Sequence, residues 1–501
     1  MAWNEGYVTE IPYTPGFYHH LSPANLQLIP LLKQVNHQPI TRPFNYCELA
    51  CGLGITTNIL AAAYPHAQFY GMDFNPTHIL KARSIAEAAG LTNVNFSDKS
   101  FKEYAHEELP DFDYICLHGI YSWVSEENQQ AIAQFIRKKL KIGGIVYISY
   151  NTMPGWAITA PIQRLMFAYN AKSQASAQKQ LEGSLELLEK LKDSKALYLQ
   201  NPGALRRLEQ LRNFNRSYLI HEYFNQHWKP LYFDEVHRAM TAEKLTYLGS
   251  ANLLDNMDNL NLPGEAIQEL TKIDDLAYRE VVRDFYLNST FRRDVYIKGI
   301  EVMAPAKQIE ILRSMKFTLA VQVENAKMEH QTSFGKLQLQ ENVYKPILEF
   351  LRDEGVASLD QLEQVMSSHN INLQRLIQAI LVLIGMGYVY SMIDGIDPSS
   401  AQRFNSMAIQ QSFEDDAINF LCSSIIGNGV NVNRLEQWFL AGEYDSSKGL
   451  DYIRQIVDRN NLKITREGKT AQTPEENWHF LKESAEAFAK NKRPILKRLG
   501  I

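Results

Sequence analysis

The sequence predicts an α/β fold with a doubly wound, mainly parallel sheet, on the strength of three observations. Between Phe44 and Tyr150, short apolar runs of β type alternate with amphipathic helical stretches. This alternation is typical of parallel sheets that carry helices on both faces. After Asn151 the β pattern ceases and helical patterns follow. The length of 501 residues exceeds what a single core supports and suggests roughly three domains.

The elements of the first region follow in order from this alternation. The predicted strands are FNYCELA, AQFYGMD, VNFSD, FDYICLHG and GIVYISYN. Helices are predicted from about Ile55, over Pro76 to Ala89, and over Glu126 to Leu140. We assign residues 1–156 to this Rossmann-like core.

The rest of the chain divides into three predicted regions. Residues 157–230 are interpreted as a helical insertion whose apolar spacing predicts a homodimer. Residues 231–304, with the helix YFDEVHRAM and the strands LTYLGSANL and VYIKGI, are expected to complete the sheet. Residues 305–501 are predicted to be mainly helical, and three helices with a β-wing suggest a winged-helix-like unit near residues 340–392.

Composition restricts the classes of function. The net charge of −5, with dispersed basic residues, offers no global electrostatic basis for nucleic-acid binding. The chain shows neither a signal-peptide pattern nor an apolar run approaching about 20 residues, so we expect a cytoplasmic protein without membrane contact. No CxxC pair occurs, so we expect no metal site and interpret the cysteines as reduced and structural, namely Cys47, Cys51, Cys116 and Cys422.

The most informative motif is ELACGLG, which stands between a predicted strand and a predicted helix. Its small residues let the backbone approach a ligand closely. Roughly twenty residues later the second strand ends in Asp73, a position from which a carboxylate accepts hydrogen bonds from ribose hydroxyls. The third glycine of a nicotinamide-binding G-x-G-x-x-G pattern is absent. The motif therefore suits the methionine portion of S-adenosylmethionine, and its candidate residues are Glu48, Ala50, Gly52 and Gly54.

The third strand ends in Asp98, whose carboxylate is placed to accept the adenine amino group while the amide of Lys99 meets a ring nitrogen. The alternative reading of Asp98 is a helix N-cap. Both residues fall at the carboxyl edge of the predicted sheet, where open α/β sheets bind ligands. Phe74, directly after Asp73, completes this part of the predicted cofactor site.

The fourth strand continues into His118-Gly119-Ile120-Tyr121-Ser122-Trp123. Gly119 allows close approach, and the faces of Tyr121 and Trp123 attract an ammonium or a sulfonium methyl group. Their alternative role is ordinary aromatic packing. An Asp/Asn-Pro-Pro-Tyr sequence, expected in enzymes that methylate amino groups of nucleic-acid bases, is missing here, which argues against DNA bases as acceptors.

The chain resembles the bacterial protein-lysine methyltransferases and their relatives that carry a methyltransferase regulatory domain. The resemblance rests on ELACGLG, FDYICLHGIYSWVS, ISYNTMPGW and HEYFNQHWKPLYFDEV, and it covers about the first 300 residues. It implies transfer of a methyl group from S-adenosylmethionine to lysine side chains of a protein, with the C-terminal region helping to hold the substrate. One departure is Ala50, where methyltransferases generally carry glycine; a tight turn with negative φ would tolerate it.

Methyl transfer from a sulfonium needs alignment and exclusion of water rather than a protein nucleophile. A lysine acceptor must first lose its proton, and an apolar aromatic channel lowers its free pKa of roughly 10.4. His118 is a candidate for relaying that proton or for binding backbone near the cofactor. The predicted channel residues are Tyr121, Trp123, Tyr150, Asn151 and Trp156, with Tyr7 and Tyr13 as a lid or as simple packing.

Two alternatives remain open at this point. One is a small-molecule methyltransferase whose helical extension encloses a compact pocket. The other is a non-catalytic regulator that senses S-adenosylmethionine while its winged helix docks on nucleic acid. The recognition helix of that unit, NLQRLIQAILVLIGMG, carries Arg375 as its only basic residue, which favours packing against protein over contact with phosphates.

Overall fold

The computed structural model of the chain describes Tyr7 and residues 15–172, 175–442, 447–466 and 468–501. Seven strands of this described part form one sheet in the order β3-β2-β1-β4-β5-β7-β6. All neighbours pair in parallel except at β7, which is antiparallel to both β5 and β6. The strands are β1 Asn45–Leu49, β2 Gln68–Met72, β3 Val94–Ser97, β4 Phe112–Leu117, β5 Leu140–Asn151, β6 Leu245–Ser250 and β7 Phe291–Lys298.

Helices cover both faces of this sheet, which is why the central strand β4 is buried at every position. Their ends follow local chemistry. Asn75 caps the amide of Thr77 ahead of Pro76, and Ser125 caps the amide of Asn128. The helices of this region are α1 Pro23–Leu26, α2 Leu28–Leu32, α3 Ile55–Ala63, α4 Pro76–Ala88, α5 Phe101–Tyr104 and α6 Glu126–Lys139.

The insertion after β5 is a helical layer with its own apolar core. Its helices are α7 Ala160–Asn170, α8 Ala177–Asp193, α9 Pro202–Leu211 and α10 Arg216–Phe224. Apolar side chains such as Ile162, Leu188, Leu208 and Leu219 pack against one another inside this layer. The apolar spacing that predicted a dimer is thus used within one chain, and the dimer stays a prediction.

The chain then returns to the sheet. The two segments offered as late strands are β6 and β7, and β7 pairs with β5 along Ile145 to Asn151. The helices of this return are α11 Phe233–Ala242, α12 Asp258–Asn261, α13 Gly264–Thr271 and α14 Leu276–Leu287.

The C-terminal region begins with a small mixed unit whose apolar core, distinct from that of the first domain, also includes Leu31 and Leu254. Its three-stranded sheet has the order β11-β8-β12, beside a hairpin of β9 and β10. Its elements are α15 Pro305–Ser314, β8 Lys316–Leu319, β9 Glu329–Thr332, β10 Gly335–Gln338, α16 Glu341–Glu354, β11 Val356–Ser358, α17 Leu359–Met366, α18 Leu373–Gly385 and β12 Val389–Met392.

The last hundred residues pack against the first domain instead of forming a core of their own. Phe404, Leu421 and Trp438 belong to the same apolar cluster as Ile59 and Leu60 of α3. The elements are α19 Ser399–Gln411, β13 Phe420–Ser423, β14 Asn428–Asn431, α20 Arg434–Ala441, α21 Ser447–Arg459, β15 Thr465–Arg466, β16 Lys469–Thr470, α22 Pro474–Ala487 and α23 Arg493–Arg498.

The final amphipathic segment is not one straight helix. A π-helical turn over Phe488–Lys492 separates α22 from α23, whose second residue is Pro494. Proline lacks the amide proton that would continue the helical hydrogen bonds, so the register changes there. No helix of the described ranges combines the length and the apolar character needed to cross a bilayer.

Candidate active site

A cavity of about 900 Å³ opens at the carboxyl ends of the parallel strands. One end of it is walled by the loop between β1 and α3, and the other by the helical insertion. The crevice at this edge is where open α/β sheets bind ligands, because the loops that follow the strands converge there. The site is therefore built by several distant segments of the chain.

Asp73, at the end of β2, closes the loop that follows β1. Its Oδ2 accepts a hydrogen bond from the amide of Gly52 at 3.0 Å, and its Oδ1 accepts one from the amide of Asn75 at 2.9 Å. The same Oδ1 lies 3.2 Å from Nδ1 of His78. The Asp73 carboxylate thus holds the backbone of the loop against the strand end.

The loop itself runs through the left-handed region of backbone conformation. Ala50, Gly52 and Gly54 have φ of 56°, 54° and 68°. The expectation of a negative φ at Ala50 is wrong, because the chain turns back toward Met72 there. A side chain at Gly52 would meet nothing within 4 Å, so the Cα of Gly52 faces open space at the cavity wall.

Glu48 lies buried at the floor of the cavity and accepts a hydrogen bond from the hydroxyl of Thr57. Burial raises the pKa of Glu48 to about 7; the Thr57 hydrogen bond acts in the opposite direction, and the charge of Asp73 adds to the rise. A cation placed beside this carboxyl group would favour its ionised form.

The predicted cofactor residues divide into two groups by position. Those on the cavity wall are Glu48, Ala50, Gly52, Asp73, Phe74, His118 and Gly119. Gly54 instead permits close packing of α3, since a side chain there would come within 2.5 Å of the Cβ of Ala82. Asp98 and Lys99 are also absent from the wall: Asp98 lies 3.9 Å from Nη2 of Arg83, and Lys99 pairs with Glu107 at 2.9 Å.

His118 is held at the tip of β4 by groups of β5 and the N-terminal segment. Its Nδ1 lies 2.8 Å from the Tyr147 hydroxyl and 3.1 Å from the Ser149 hydroxyl, and the Tyr18 ring lies 3.9 Å away between centroids. Burial, aided by the charge of Arg293, lowers the pKa of His118 to about 3. The imidazole is neutral at physiological pH.

The predicted channel residues also divide by side-chain direction. Trp123, Asn151, Trp156 and Tyr7 line the cavity. Tyr150 does not; successive side chains of β5 point to opposite faces, and its hydroxyl donates to Oδ2 of Asp294 at 2.6 Å in the core.

Tyr121 likewise lies in the apolar core, among the residues packed around α6. Its assignment to the channel wall therefore does not match its position. Tyr13 lies outside the described residues.

Several wall residues escaped the motif analysis. They come from the N-terminal segment, from the insertion and from β7, and include Tyr18, Arg206, Arg207, Tyr218, Glu222 and Phe291. Only one sequence signal pointed to any of them: Glu222 falls in the HEYFNQHW segment, where a charged residue stands on an otherwise buried helix.

Comparison with known proteins places this site in a family. A family model described as a methyltransferase domain matches residues 40–210, and one described as a predicted methyltransferase regulatory domain matches residues 215–298. The uncharacterised protein sll1526 of Synechocystis is 44% identical over 506 residues, covering 100% of both chains. The uncharacterised protein RP028 of Rickettsia prowazekii is 31% identical over 233 residues, which are 45% of this chain and 90% of RP028.

A solved structure shares the fold along nearly the whole chain. PKMT2 from Rickettsia typhi, in complex with AdoHcy, superposes with a TM-score of 0.70 at 21% identity, covering 97% of this chain and 99% of PKMT2. The sheet order and the glycine loop after β1 are those expected of the methyltransferase domain that the family model identifies. The chain belongs to the family of Synechocystis sll1526 and is an S-adenosylmethionine-dependent methyltransferase with a methyltransferase regulatory domain.

Proposed function

We propose that this enzyme methylates the side-chain amine of lysine residues in a protein. The observation that carries the proposal is a single cavity that joins the loop after β1 to an aromatic half walled by Tyr18, Trp123 and Trp156. The cavity would hold a cofactor at one end and a slender amine side chain at the other, so that the two are in contact inside it.

The residues present fit S-adenosylmethionine. Gly52 and Gly119 both have positive φ and open space where a side chain would stand. Nε2 of His78 and Nδ2 of Asn151 are buried at the wall without a hydrogen-bond partner among the described residues, so they are available to a ligand. We assign the methionine portion to Glu48 and the loop after it, and the ribose hydroxyls to Asp73. The adenine role of Asp98 stays a prediction.

When bound, S-adenosylmethionine supplies a methyl group on a sulfonium, whose departure as a thioether needs no proton. The chain's own residues then have two tasks: alignment of the acceptor and exclusion of water. Two wall residues are held in place for this purpose: the Tyr18 ring packs against the neutral His118 with an interplanar angle of 32°, and Nε1 of Trp156 donates to the carbonyl of Thr290 at 2.9 Å.

The aromatic half also suits an acceptor that arrives as a cation. Electron-rich ring faces attract an ammonium group, while the apolar wall lowers the pKa of a lysine by disfavouring its charged form. The fold shared with PKMT2 along nearly the whole chain is consistent with a protein substrate.

Calorimetric titration of S-adenosylmethionine and AdoHcy into wild type, Asp73→Ala and the exposed control Asp111→Ala tests the cofactor assignment. We expect binding to wild type and Asp111→Ala and at least about 10-fold weaker binding to Asp73→Ala, because a charged hydrogen-bond acceptor is lost. Failure of the wild type to bind either compound would contradict the proposal.

Labelled methyl transfer onto poly-L-lysine, compared with fully acetylated poly-L-lysine, tests the acceptor. We expect label only on the free amines. Cofactor binding without transfer to lysine, but with transfer to an amine or carboxylate metabolite, would replace the protein substrate by a small molecule.

We further propose a winged-helix-like unit whose recognition helix, α18, packs against protein and not against nucleic acid. Its elements are β8, α16, β11, α17, α18 and β12. Gly385 of α18 lies so close to Leu254 that a side chain there would come within 2.5 Å of it. Such packing uses the helix for an internal contact.

The homodimer and the cytoplasmic location also stay predictions. Gel filtration with light scattering that shows only monomer would rule out the dimer.

A further inference from the structure

Glu222 lines the cavity from helix α10 of the insertion. Glu222 is buried, with 8% of its surface exposed. In the described parts of the chain no group donates a hydrogen bond to it and no cation lies within ion-pair distance. A buried carboxylate without a partner is unfavourable unless a cation or a donor reaches it.

The other acidic residues on the described wall are already engaged. Glu48 accepts a hydrogen bond from Thr57, and Asp73 accepts hydrogen bonds from the amides of Gly52 and Asn75. Glu222 is the acidic wall residue that retains all its hydrogen-bonding capacity for a ligand.

Aromatic side chains lie between the cofactor residues and the helix that carries Glu222. The Tyr7 ring lies 5.7 Å from the ring of Phe74 and 5.6 Å from the ring of His221, the neighbour of Glu222. The pKa of Tyr7 is raised first by burial and then by the charges of Asp73 and Glu222. The pKa of Tyr18 is raised first by burial and then by Glu48 and Glu222. Both rings thus lie within reach of a cofactor-side carboxylate and of Glu222.

The guanidinium of Arg207, whose charge acts on Glu222, makes its contacts with other residues. Nε of Arg207 donates to the Tyr223 hydroxyl at 2.8 Å, and the guanidinium lies 5.3 Å from the centre of the Trp156 ring. Burial raises the pKa of Glu222 to about 8, and the charge of Arg207 offsets only part of that rise. A second cation beside Glu222 would therefore stabilise its ionised form further.

We propose, resting on the function proposed above, that Glu222 binds the ammonium group of the acceptor and removes its proton before methyl transfer. An N–H bond breaks, an O–H bond forms on Glu222, and the electron pair remains on nitrogen as the nucleophile. The substrate class is a primary amine on an apolar stem, as in lysine. After transfer, Glu222 returns the proton to solvent when the product leaves.

The first test measures binding without turnover. The probes are acetylated and amidated Gly-Gly-Lys-Gly-Gly and the same peptide with norleucine in place of lysine, added to AdoHcy-loaded protein and followed by NMR line broadening. The proteins are wild type, Glu222→Gln and Glu209→Gln, which removes an exposed carboxylate from α9. We expect wild type and Glu209→Gln to prefer the lysine peptide at least 10-fold, and Glu222→Gln to lose that preference.

Titration of AdoHcy into each variant separates this proposal from the preceding one. Equal affinity for AdoHcy in all three proteins shows that Glu222→Gln folds and that its cofactor half is intact. A wild type that shows no preference for the lysine peptide, or a Glu222→Gln variant that keeps it, overturns the proposal even when AdoHcy binds.

The second test follows the proton. The titratable and charged groups near Glu222 are Tyr7, Tyr18, Tyr218, Tyr223 and Arg207, with Arg206 and His227 also on the cavity wall. We expect kcat/KM for poly-L-lysine to rise with pH through about 8 in wild type as Glu222 ionises. In Glu222→Gln this limb should disappear and kcat/KM should fall at least 100-fold at pH 8. An unchanged pH profile contradicts proton removal by Glu222.

Discussion

The backbone conformation of a few residues shapes the loop at the cofactor end of the cavity. Ala50, Gly52 and Gly54 lie at positive φ within five residues, and the amide of Gly52 is turned toward Asp73 by that geometry. For alanine this conformation costs about 1 kcal/mol. The composition of the loop predicted a close backbone approach, but the sign of φ at Ala50 depends on the strand beside it.

Gly119 offers a test of that kind of position. We expect Gly119→Ala to weaken AdoHcy binding at least about 10-fold, because the added methyl projects into the cavity and the backbone has a φ of 68°. Calorimetry measures the affinity. The matched control is Gly143→Ala, which has a φ of 80°, equally open space and no place on the cavity wall. Equal loss of affinity in both variants would show that backbone strain alone, and not the cavity, is responsible.

Glu48 links stability to pH. Its pKa is raised from 4.5 to about 7 in the folded protein, mainly by burial. The folded state therefore holds the proton more tightly, and the stabilisation is present below pH 4.5 and is lost as pH rises through about 7. We expect Glu48→Gln to be more stable than wild type at pH 8, by about 3 kcal/mol at most, with little difference at pH 5.

Thermal denaturation of the cofactor-free protein at both pH values measures this effect of Glu48→Gln. Glu87→Gln, on the exposed side of α4, is the control and should show no pH-dependent difference from wild type. A stability gain of Glu48→Gln that is the same at pH 5 and pH 8 would contradict the raised pKa.

At the scale of elements, the buried guanidinium of Arg292 joins β7 to helix α14 and to strand β6. Nη1 of Arg292 donates to both carboxylate oxygens of Asp284 of α14, at 2.8 and 2.9 Å, and its Nε donates to both carboxylate oxygens of Asp294, at 3.0 and 3.2 Å. Its Nη2 also donates to Glu280 at 2.9 Å and to the Tyr247 hydroxyl of β6 at 3.0 Å. The edge of the sheet is thus tied to α14 by charge as well as by apolar packing.

Removal of this guanidinium should be severe. We expect Arg292→Met to destabilise the protein by about 3–5 kcal/mol, because several buried carboxylates lose their counter-charge. The control Arg313→Met breaks an exposed pair with Glu363 and should change stability by less than about 1 kcal/mol. Urea denaturation of both variants provides the comparison, and similar small losses would show that the cluster is weakly coupled to folding.

At the scale of the whole molecule, the last hundred residues complete the core under the cofactor loop. Sγ of Cys422 lies 3.3 Å from the carbonyl of Ile59 in α3. The carbonyl of Gly427 accepts hydrogen bonds from the hydroxyls of Ser22 and Tyr64, at 2.7 and 3.0 Å. The C-terminal region therefore supports α3, the helix that follows the glycine loop.

This arrangement predicts long-range coupling. Phe404→Ala should destabilise the protein by about 3–5 kcal/mol and accelerate amide hydrogen exchange in α3, because Phe404 belongs to the apolar cluster that buries this helix. Leu362→Ala removes an equally buried side chain from the separate core of the α16 to α18 unit. It should leave exchange in α3 unchanged, as hydrogen exchange with mass spectrometry will show. Unaltered α3 exchange in Phe404→Ala would contradict the shared core.

Prediction from sequence succeeded where the pattern is local. The alternating runs from Phe44 to Tyr150 predicted the α/β sheet that the structure shows, because strand and helix periods are encoded by neighbouring residues. It was less successful for side-chain direction. Tyr150 and Asn151 were both assigned to the channel, although adjacent strand residues face opposite sides.

The sequence by itself determined the methyltransferase class, since the small-residue loop, the acidic end of β2 and the order of elements all lie within short stretches of chain. Only the tertiary structure decided which distant residues share the cavity. Tyr18, Arg207 and Glu222 come together there because α9 and α10 fold over the sheet edge. Their convergence depends on the packing of the insertion core, whose contacts join residues far apart in sequence and leave no periodic signal.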